Sequence, residues 1–127
     1  MRKIIKTEKA PAPIGPYNQA VQVGETLYIS GQIALNAESG ELETHNIMAE
    51  TERVMLNLKA VLEAAEYGFD EVVKCSIFIK DMEQFHAINA EYARFFKEDN
   101  APARETVQVA KLPKDVNVEI SAIAVKA

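Results

Sequence analysis

The sequence predicts a single α+β domain over residues 1–127, a two-layer sandwich in which two helices cover one face of a sheet. Its length and composition, with 48% hydrophobic and 26% charged residues, are typical of one globular domain. Two stretches repeat apolar residues at three- and four-residue steps, the spacing of helices with one buried face. Six other stretches are alternating or β-branched, in the order strand, strand, strand, helix, strand, helix, strand, strand.

Three short strands are predicted first. Residues 2–6 form the first, although few of them are apolar. Residues 18–23 and 26–33 form the next two, joined at Gly24 in a pattern typical of a hairpin. Gly31 interrupts the third strand, and glycine within a strand often marks a bulge or a place where another group approaches the backbone.

A rigid loop is predicted between the first two strands. Residues 10–16 contain three prolines and a glycine, which exclude a helix and favour an extended chain. Such a loop is suited to holding Tyr17 in one place. After the third strand, residues 36–43 are polar and include Ser39 and Gly40, so we expect a turn there.

Two helices are predicted in the middle of the chain. The first is expected from Asn46, an N-cap residue type, to about Glu66, with Gly68 at a position where helices commonly stop. The second is expected to begin at Asp81, with Gln84 three residues later as in a capping box. Their buried stripes are expected at Ile47, Val54, Leu58, Val61, Leu62 and Ala65, and at Phe85, Ile88, Tyr92, Phe95 and Phe96.

Three more strands complete the predicted sheet. Residues 72–80 form a continuous apolar stretch, which favours a central strand. Residues 104–109 and 116–126 alternate, so each has one mixed face, which carries Arg104 in the first and Glu119 in the second. Whether these two side chains point into the same space depends on strand pairing, which the sequence leaves open. The apolar face of the last strand is expected to comprise Val116, Val118, Ile120, Ala122 and Ala124.

Apolar residues occur on both faces of several strands, for instance at Tyr28 and Ile29 and at Ile77, Phe78 and Ile79. A two-layer sandwich leaves one face of its sheet uncovered, and an apolar face of that area would not stay in water. Further copies of the same chain are the simplest way to cover this apolar face, so we expect a homo-oligomer.

Several classes of function are disfavoured by the composition. The net charge of −5 provides no basic field for a nucleic acid. The apolar runs are too short to span a bilayer and the N-terminus lacks the apolar core of a secretion signal, so we expect a cytoplasmic protein. Cys75 is the single cysteine, and His45 and His86 have no further ligand at metal spacing, so neither a disulfide nor a metal site is expected. Nucleotide and redox-cofactor motifs are missing, so any catalysis is expected to need no cofactor.

Arg104 and Glu119 are the strongest candidates for chemistry. Arg104 has the planar donors that clamp a small carboxylate, although a surface arginine paired with Glu105 or Asp99 is the ordinary alternative. Glu119 lies in an apolar strand, where partial burial would raise its pKa and suit it to hold or deprotonate a water. Its ordinary alternative is a solvent-facing strand position.

Other polar groups are weaker candidates. Tyr17, Ser30 and Asn89 have side chains able to hydrogen-bond a ligand, and the backbone N–H of Gly31 could add to them. The ordinary explanations are packing for the tyrosine, a turn for the serine and solvation for the asparagine. Cys75 is expected to fill core space rather than to act as a nucleophile.

Five segments carry a family resemblance: IGPYNQAV, LYISGQIAL, NLKAVLEAA, VVKCSIFIKDM and PARETVQVAKLPKDVNVEISAIAV. Together they cover essentially the whole chain, and the set resembles the RidA (YjgF-type) family of enamine/imine deaminases. The resemblance implies a chorismate-mutase-like fold, a mixed sheet backed by two helices, assembled as a homotrimer with active sites in clefts between subunits. It also implies hydrolysis of 2-imino acids, the tautomers of 2-aminoacrylate and 2-aminocrotonate, to pyruvate or 2-oxobutanoate and ammonia.

The resemblance also implies roles for individual residues. Arg104 matches the arginine that pairs with the substrate carboxylate, and Glu119 matches the carboxylate that positions the attacking water. Thr106 stands where relatives usually have cysteine, and its backbone carbonyl is expected to hold the water. Ser121 stands where many relatives have glutamate, a departure that bears on substrate range rather than on reaction type. The residues that match the lining of the cleft are Tyr17, Ser30, Gly31 and Asn89.

Two other functions stay open from the sequence. One is a non-enzymatic protein of the same fold that binds small carboxylates such as 2-oxobutanoate, and Arg104 would serve it equally well. Glu119 favours hydrolysis over this alternative, because a second anion near a carboxylate ligand disfavours simple binding. The other is an endoribonuclease acting on messenger RNA, which the negative charge and the lack of a basic aromatic stripe disfavour.

Overall fold

Two helices pack on one face of a six-stranded mixed sheet in the computed structural model, which describes residues 1–127. The sheet order is β1-β2-β3-β6-β4-β5, and all neighbours are antiparallel except the parallel pair β4 and β5. The order of elements along the chain confirms the prediction. The strands are β1 (Arg2–Ile5), β2 (Ala20–Val23), β3 (Thr26–Gln32), β4 (Val72–Ile79), β5 (Ala103–Gln108) and β6 (Val118–Val125), and the helices are α1 (Ile47–Ala64) and α2 (Phe85–Ala93).

The first helix begins as predicted and ends differently. Asn46 caps it, its side chain accepting a backbone hydrogen bond from the first turn at 2.8 Å. At the other end, the N–H of Tyr67 reaches back to the carbonyl of Leu62 at 2.9 Å, and Glu66 takes a left-handed φ of 65°. The left-handed backbone that terminates the helix is therefore at Glu66, just beyond its last residue, and Gly68 has an extended backbone.

The second helix begins later than predicted. Asp81 caps a single 3₁₀ turn, Met82–Gln84, by accepting from the N–H of Glu83 at 2.9 Å. The short aspartate side chain thus bonds two residues ahead, and the predicted capping box with Gln84 does not form. Phe95 and Phe96 lie beyond the end of the helix but still pack against the core.

The core lies between the sheet and the helices, and the predicted buried stripes largely coincide with it. Along β6, Val118, Ile120, Ala122 and Ala124 are all buried, as the alternation predicts. The opposite sheet face is uncovered, and it carries a cross-strand row formed by Ile4, Val21, Tyr28 and Ile123. An uncovered sheet face with an apolar row is therefore present, whereas the homo-oligomer remains a prediction. Neither helix has the length and hydrophobicity needed to span a lipid bilayer.

A bulge interrupts β3 where the glycine predicts one. The pairing of β3 with β6 shifts between Ile29 and Gln32, so that Ser30 and Gly31 are displaced from the regular ladder. This irregularity lies beside Glu119 of β6, which makes it part of the candidate site.

Candidate active site

Arg104 points from β5 towards α2, where three side chains orient its guanidinium group. Its Nη1 donates to Oδ1 of Asn89 at 2.7 Å, and its Cζ lies 5.1 Å from the ring centroid of Tyr92 and 5.7 Å from that of Phe85. These α2 residues are four and three positions apart, so they share one helix face. Arg104 borders an open groove of about 460 Å³, and its guanidinium has further N–H donors besides the one bonded to Asn89.

The ordinary alternative for Arg104, a surface ion pair, does not occur. Arg104 makes no ion pair within the chain. Glu105 points to the other sheet face, where it pairs with Lys74 at 2.9 Å and accepts a hydrogen bond from Ser76. The guanidinium is thus fixed in direction while its charge has no partner.

Polar groups beneath Arg104 also lack partners. The hydroxyl groups of Tyr92 and Thr106 are buried without a hydrogen bond. Burial, and then the neighbouring Cys75 thiol, raise the pKa of Tyr92, and burial raises the pKa of Cys75. Cys75 is 1% exposed, which supports its predicted packing role.

The Thr106 carbonyl is directed towards the free edge of the sheet. Val109 donates its N–H to the carbonyl of Ile79 at 2.9 Å. Because alternate residues of a parallel strand bond to the same neighbour, Thr106, three positions earlier, presents its backbone groups away from β4. This orientation is compatible with the expected role of the carbonyl in holding a water.

Glu119 lies on the opposite face of the sheet from Arg104. It is partly buried, and this burial raises the pKa of its carboxyl group, as the sequence predicts. Its side chain passes over Gly31, where an added Cβ would overlap the carboxylate. A groove of about 380 Å³ surrounds it, bordered by Tyr17, Ser30 and Pro113. The glycine in β3 thus marks a close approach by Glu119.

Ser30 is placed in this groove but is not a free donor. Its hydroxyl donates to the carbonyl of Asn18 at 2.6 Å, because the bulge brings the two chain segments together. A hydrogen bond from Ser30 to a ligand stays a prediction; in this arrangement the hydroxyl proton is used by Asn18, and the oxygen can accept a hydrogen bond.

The proline-rich loop that precedes Tyr17 is anchored by Gln19, a residue that the sequence reasoning missed. Gln19 is 3% exposed, and its Nε2 donates to the carbonyls of Ala10 and Pro11 at 3.1 and 2.9 Å. Its Oε1 accepts from the N–H of Thr7 at 2.7 Å. Nothing in the sequence around Gln19 indicates that its side chain is buried and bonded to the backbone of the proline-rich loop.

One chain therefore carries two separate half-sites. We call Arg104, Asn89, Tyr92 and Phe85 the arginine half-site, and Glu119, Gly31, Ser30, Tyr17 and Pro113 the glutamate half-site. Strand β4 separates β5 from β6, and the register places the two half-sites on opposite sheet faces. Phe85 and Tyr92 are spaced from Asn89 so that all three share one helix face, and this spacing could have identified both aromatic residues as neighbours of Arg104. No comparable sequence pattern identifies Pro113 as a neighbour of Glu119.

The two half-sites have complementary chemical properties. An oriented guanidinium without an ion pair is suited to a carboxylate, which it can bind through two parallel hydrogen bonds. A carboxylate whose pKa is raised by burial is a better proton acceptor than an ordinary surface carboxylate. No group of three or more histidine, cysteine, aspartate or glutamate side chains is arranged to hold a metal ion.

Known proteins resemble this chain over nearly its whole length. The family model described as Endoribonuclease L-PSP matches residues 7–126. A RutC family protein of Pasteurella multocida is 51% identical over 130 residues, covering 100% of both chains. The 2-iminobutanoate/2-iminopropanoate deaminase of Escherichia coli is 47% identical over 128 residues, covering 99% of each. The crystal structure of the YjgF gene product of Escherichia coli matches with a TM-score of 0.92 and 46% identity, covering 98% of this chain and 99% of that one. The chain therefore belongs to the L-PSP family, and its relatives there are the RidA (YjgF-type) proteins that its motifs resemble.

Proposed function

We propose that this protein hydrolyses reactive 2-imino acids, the tautomers of 2-aminoacrylate and 2-aminocrotonate, to 2-oxo acids and ammonia. The observation that carries the proposal is the state of Arg104, whose guanidinium is oriented by Asn89 and two aromatic rings and has no carboxylate partner in its own chain. A substrate carboxylate would supply that partner. The 47% identity with the Escherichia coli deaminase supports the same reaction class.

The proposed active site combines the arginine half-site of one copy with the glutamate half-site of a neighbouring copy. Two observations support this arrangement. The half-sites lie on opposite faces of one sheet, and the face that carries Glu119 is uncovered and includes the apolar row of Ile4, Val21, Tyr28 and Ile123. The proposed assembly is a homotrimer, the number that the family resemblance implies.

The chemistry needs a fixed substrate and an aimed water, because an imine carbon is already electrophilic. Arg104 binds the carboxylate of the 2-imino acid. Glu119 accepts a proton from a water held by the Thr106 carbonyl, while the water oxygen bonds to C2 and the C=N bond becomes single. Glu119 then returns this proton to the nitrogen, which gives a carbinolamine in which C2 bears a hydroxyl and an amino group. Glu119 next moves the hydroxyl proton to the amino nitrogen, and the C–N bond breaks as the C2=O bond forms, releasing ammonia. One water is consumed for each 2-oxo acid released.

A coupled assay tests this function. Threonine dehydratase with threonine generates 2-aminocrotonate and its imine, and the appearance of 2-oxobutanoate is followed with and without this protein. We expect faster appearance with the wild-type protein. For Arg104→Ala we expect kcat/KM to fall by about 10² or more, since two hydrogen bonds to a charged group are lost. The melting temperature should hardly change, because Arg104 is exposed.

Lys97→Ala is the matched control, because Lys97 is an exposed cation that borders the same groove. We expect it to keep wild-type turnover. Wild-type turnover by Arg104→Ala would contradict the anchoring role. A wild-type protein that binds 2-oxobutanoate without accelerating its formation would support the carboxylate-binding alternative, and cleavage of added RNA would support the ribonuclease.

A further inference from the structure

Glu50 is a buried carboxylate that no step of the proposed reaction uses. It lies in the first turn of α1 and is 0% exposed. Its Oε2 accepts from the N–H of Asn117 and its Oε1 accepts from Nδ2 of Asn117, both at 2.7 Å. No ion pair of the chain involves Glu50. The contacts of this buried carboxyl group are therefore the two donors of one asparagine and the N-terminal end of α1, rather than a cation.

Asn117 connects a strained turn to β6. In this turn Lys114 and Asp115 have left-handed φ values of 53° and 55°, which non-glycine residues rarely adopt and which must be held by surrounding contacts. Asp115 pairs with Lys80 at 3.0 Å, but both side chains are exposed and such a pair contributes little. The double hydrogen bond from Asn117 to Glu50 is the buried polar anchor of the segment.

This turn also forms part of the glutamate half-site. Pro113 borders both the groove around Glu119 and an adjoining cavity of about 300 Å³ beneath the proline-rich loop, and Lys114 borders that cavity. Asn117 is two residues before Glu119, and its carbonyl accepts from the N–H of Lys80 at 2.9 Å. The position of Asn117 therefore sets both one wall of the groove and the start of the strand that carries Glu119.

We infer that Glu50 is a positioning residue for Glu119, acting through Asn117, an inference that rests on the proposed function. Its role is to place hydrogen-bond acceptors rather than to supply charge or exchange protons. A glutamine at this position could bond to the Asn117 N–H through its oxygen and, after the Asn117 amide flips, to the Asn117 side-chain oxygen through its nitrogen. Glu50→Gln should therefore preserve the anchor, whereas Glu50→Ala removes it.

The test compares these two variants with a matched control on the same helix. Thr51→Val also alters a fully buried polar residue, but the Thr51 hydroxyl donates to the carbonyl of Ile47 within α1 and has no link to the turn. In the 2-imino acid assay we expect Glu50→Ala to lose about tenfold or more in kcat/KM, mainly in kcat, because Glu119 and its water are displaced. We expect Glu50→Gln and Thr51→Val to stay within about threefold of the wild type.

A second measurement needs no substrate. Hydrogen exchange of the Asn117 amide should be about tenfold faster or more in Glu50→Ala, and unchanged in Glu50→Gln, since only the alanine variant frees that N–H. If Glu50→Ala does not fold, Asn117→Ala removes half of the anchor and should show a smaller fall in kcat. The inference is overturned if Glu50→Gln is as impaired as Glu50→Ala, or if Glu50→Ala keeps wild-type turnover. A wild-type protein without deaminase activity would count against the proposed function alone, because the exchange comparison still reports on the anchor.

Discussion

The guanidinium group of Arg104 is oriented by its neighbours but has no ion-pair partner. Stacking on Tyr92 and Phe85 and one hydrogen bond to Asn89 restrict its rotamers while its charge stays unpaired. Glu119 is prepared differently, since partial burial without a cation raises the pKa of its carboxyl group. The arginine thus remains solvated, whereas the ionised glutamate costs the folded protein free energy.

That cost predicts a pH-dependent effect of Glu119→Gln. The pKa of Glu119 in the folded state lies above the unfolded value of 4.5. The protonated carboxyl group therefore contributes its full share of the folding free energy below pH 4.5, and that share is lost as the pH rises through the folded-state pKa. Glutamine removes the ionisation. We therefore expect Glu119→Gln to have a larger free energy of unfolding than the wild type at pH 7, and a similar one below pH 4.5.

Urea unfolding at both pH values, at equal protein concentration, measures this difference, and the coupled assay on the same samples should show lost turnover. A glutamine variant less stable than the wild type at pH 7 would mean that the carboxylate has a stabilising partner in the assembled protein.

The strands and helices could be predicted because their signals are local. The alternation in β6 identified its buried face, and the three- and four-residue steps in α1 identified most of its buried stripe. The burial of Glu50 in α1 depends on its contact with Asn117, which is distant along the chain, so no periodicity reveals it. Local patterns likewise placed Arg104 and Glu119 on the mixed faces of their strands. They did not show that β4 is inserted between these two strands, which separates the two side chains.

The bulge in β3 provides a prediction for Gly31→Ala. An added Cβ would overlap the carboxylate, Cδ and Cγ of Glu119, so the flexible end of the glutamate has to move away. We expect a folded protein whose kcat/KM falls by about tenfold or more, because a displaced water-positioning group costs far more than the small change in packing. Gly68→Ala is the control, since nothing lies within 4 Å of its added Cβ and its φ is extended. The assay and thermal unfolding are measured together, and unchanged turnover in Gly31→Ala would argue against the position assigned to Glu119.

The order of strands in the sheet decides what one chain can do alone. Strands β5 and β6 are consecutive along the chain, yet β4 lies between them, and the register turns their functional side chains to opposite faces. One copy therefore carries the proposed carboxylate-binding group on one face and the proposed proton acceptor on the other. The uncovered apolar row across β1, β2, β3 and β6 explains why the side with the acceptor should be covered by another copy.

Mixed assemblies test whether each active site is shared between copies. Arg104→Ala and Glu119→Gln are each expected to be inactive alone. If a site takes its arginine from one copy and its glutamate from the next, unfolding and refolding an equal mixture produces some sites with both wild-type residues. For random assembly this fraction is about a quarter, so we expect the mixture to recover about a quarter of wild-type kcat. If both residues came from the same copy, every site in the mixture would lack one of them. A refolded mixture as inactive as its two components, with the oligomer confirmed by sedimentation, would therefore exclude the shared site.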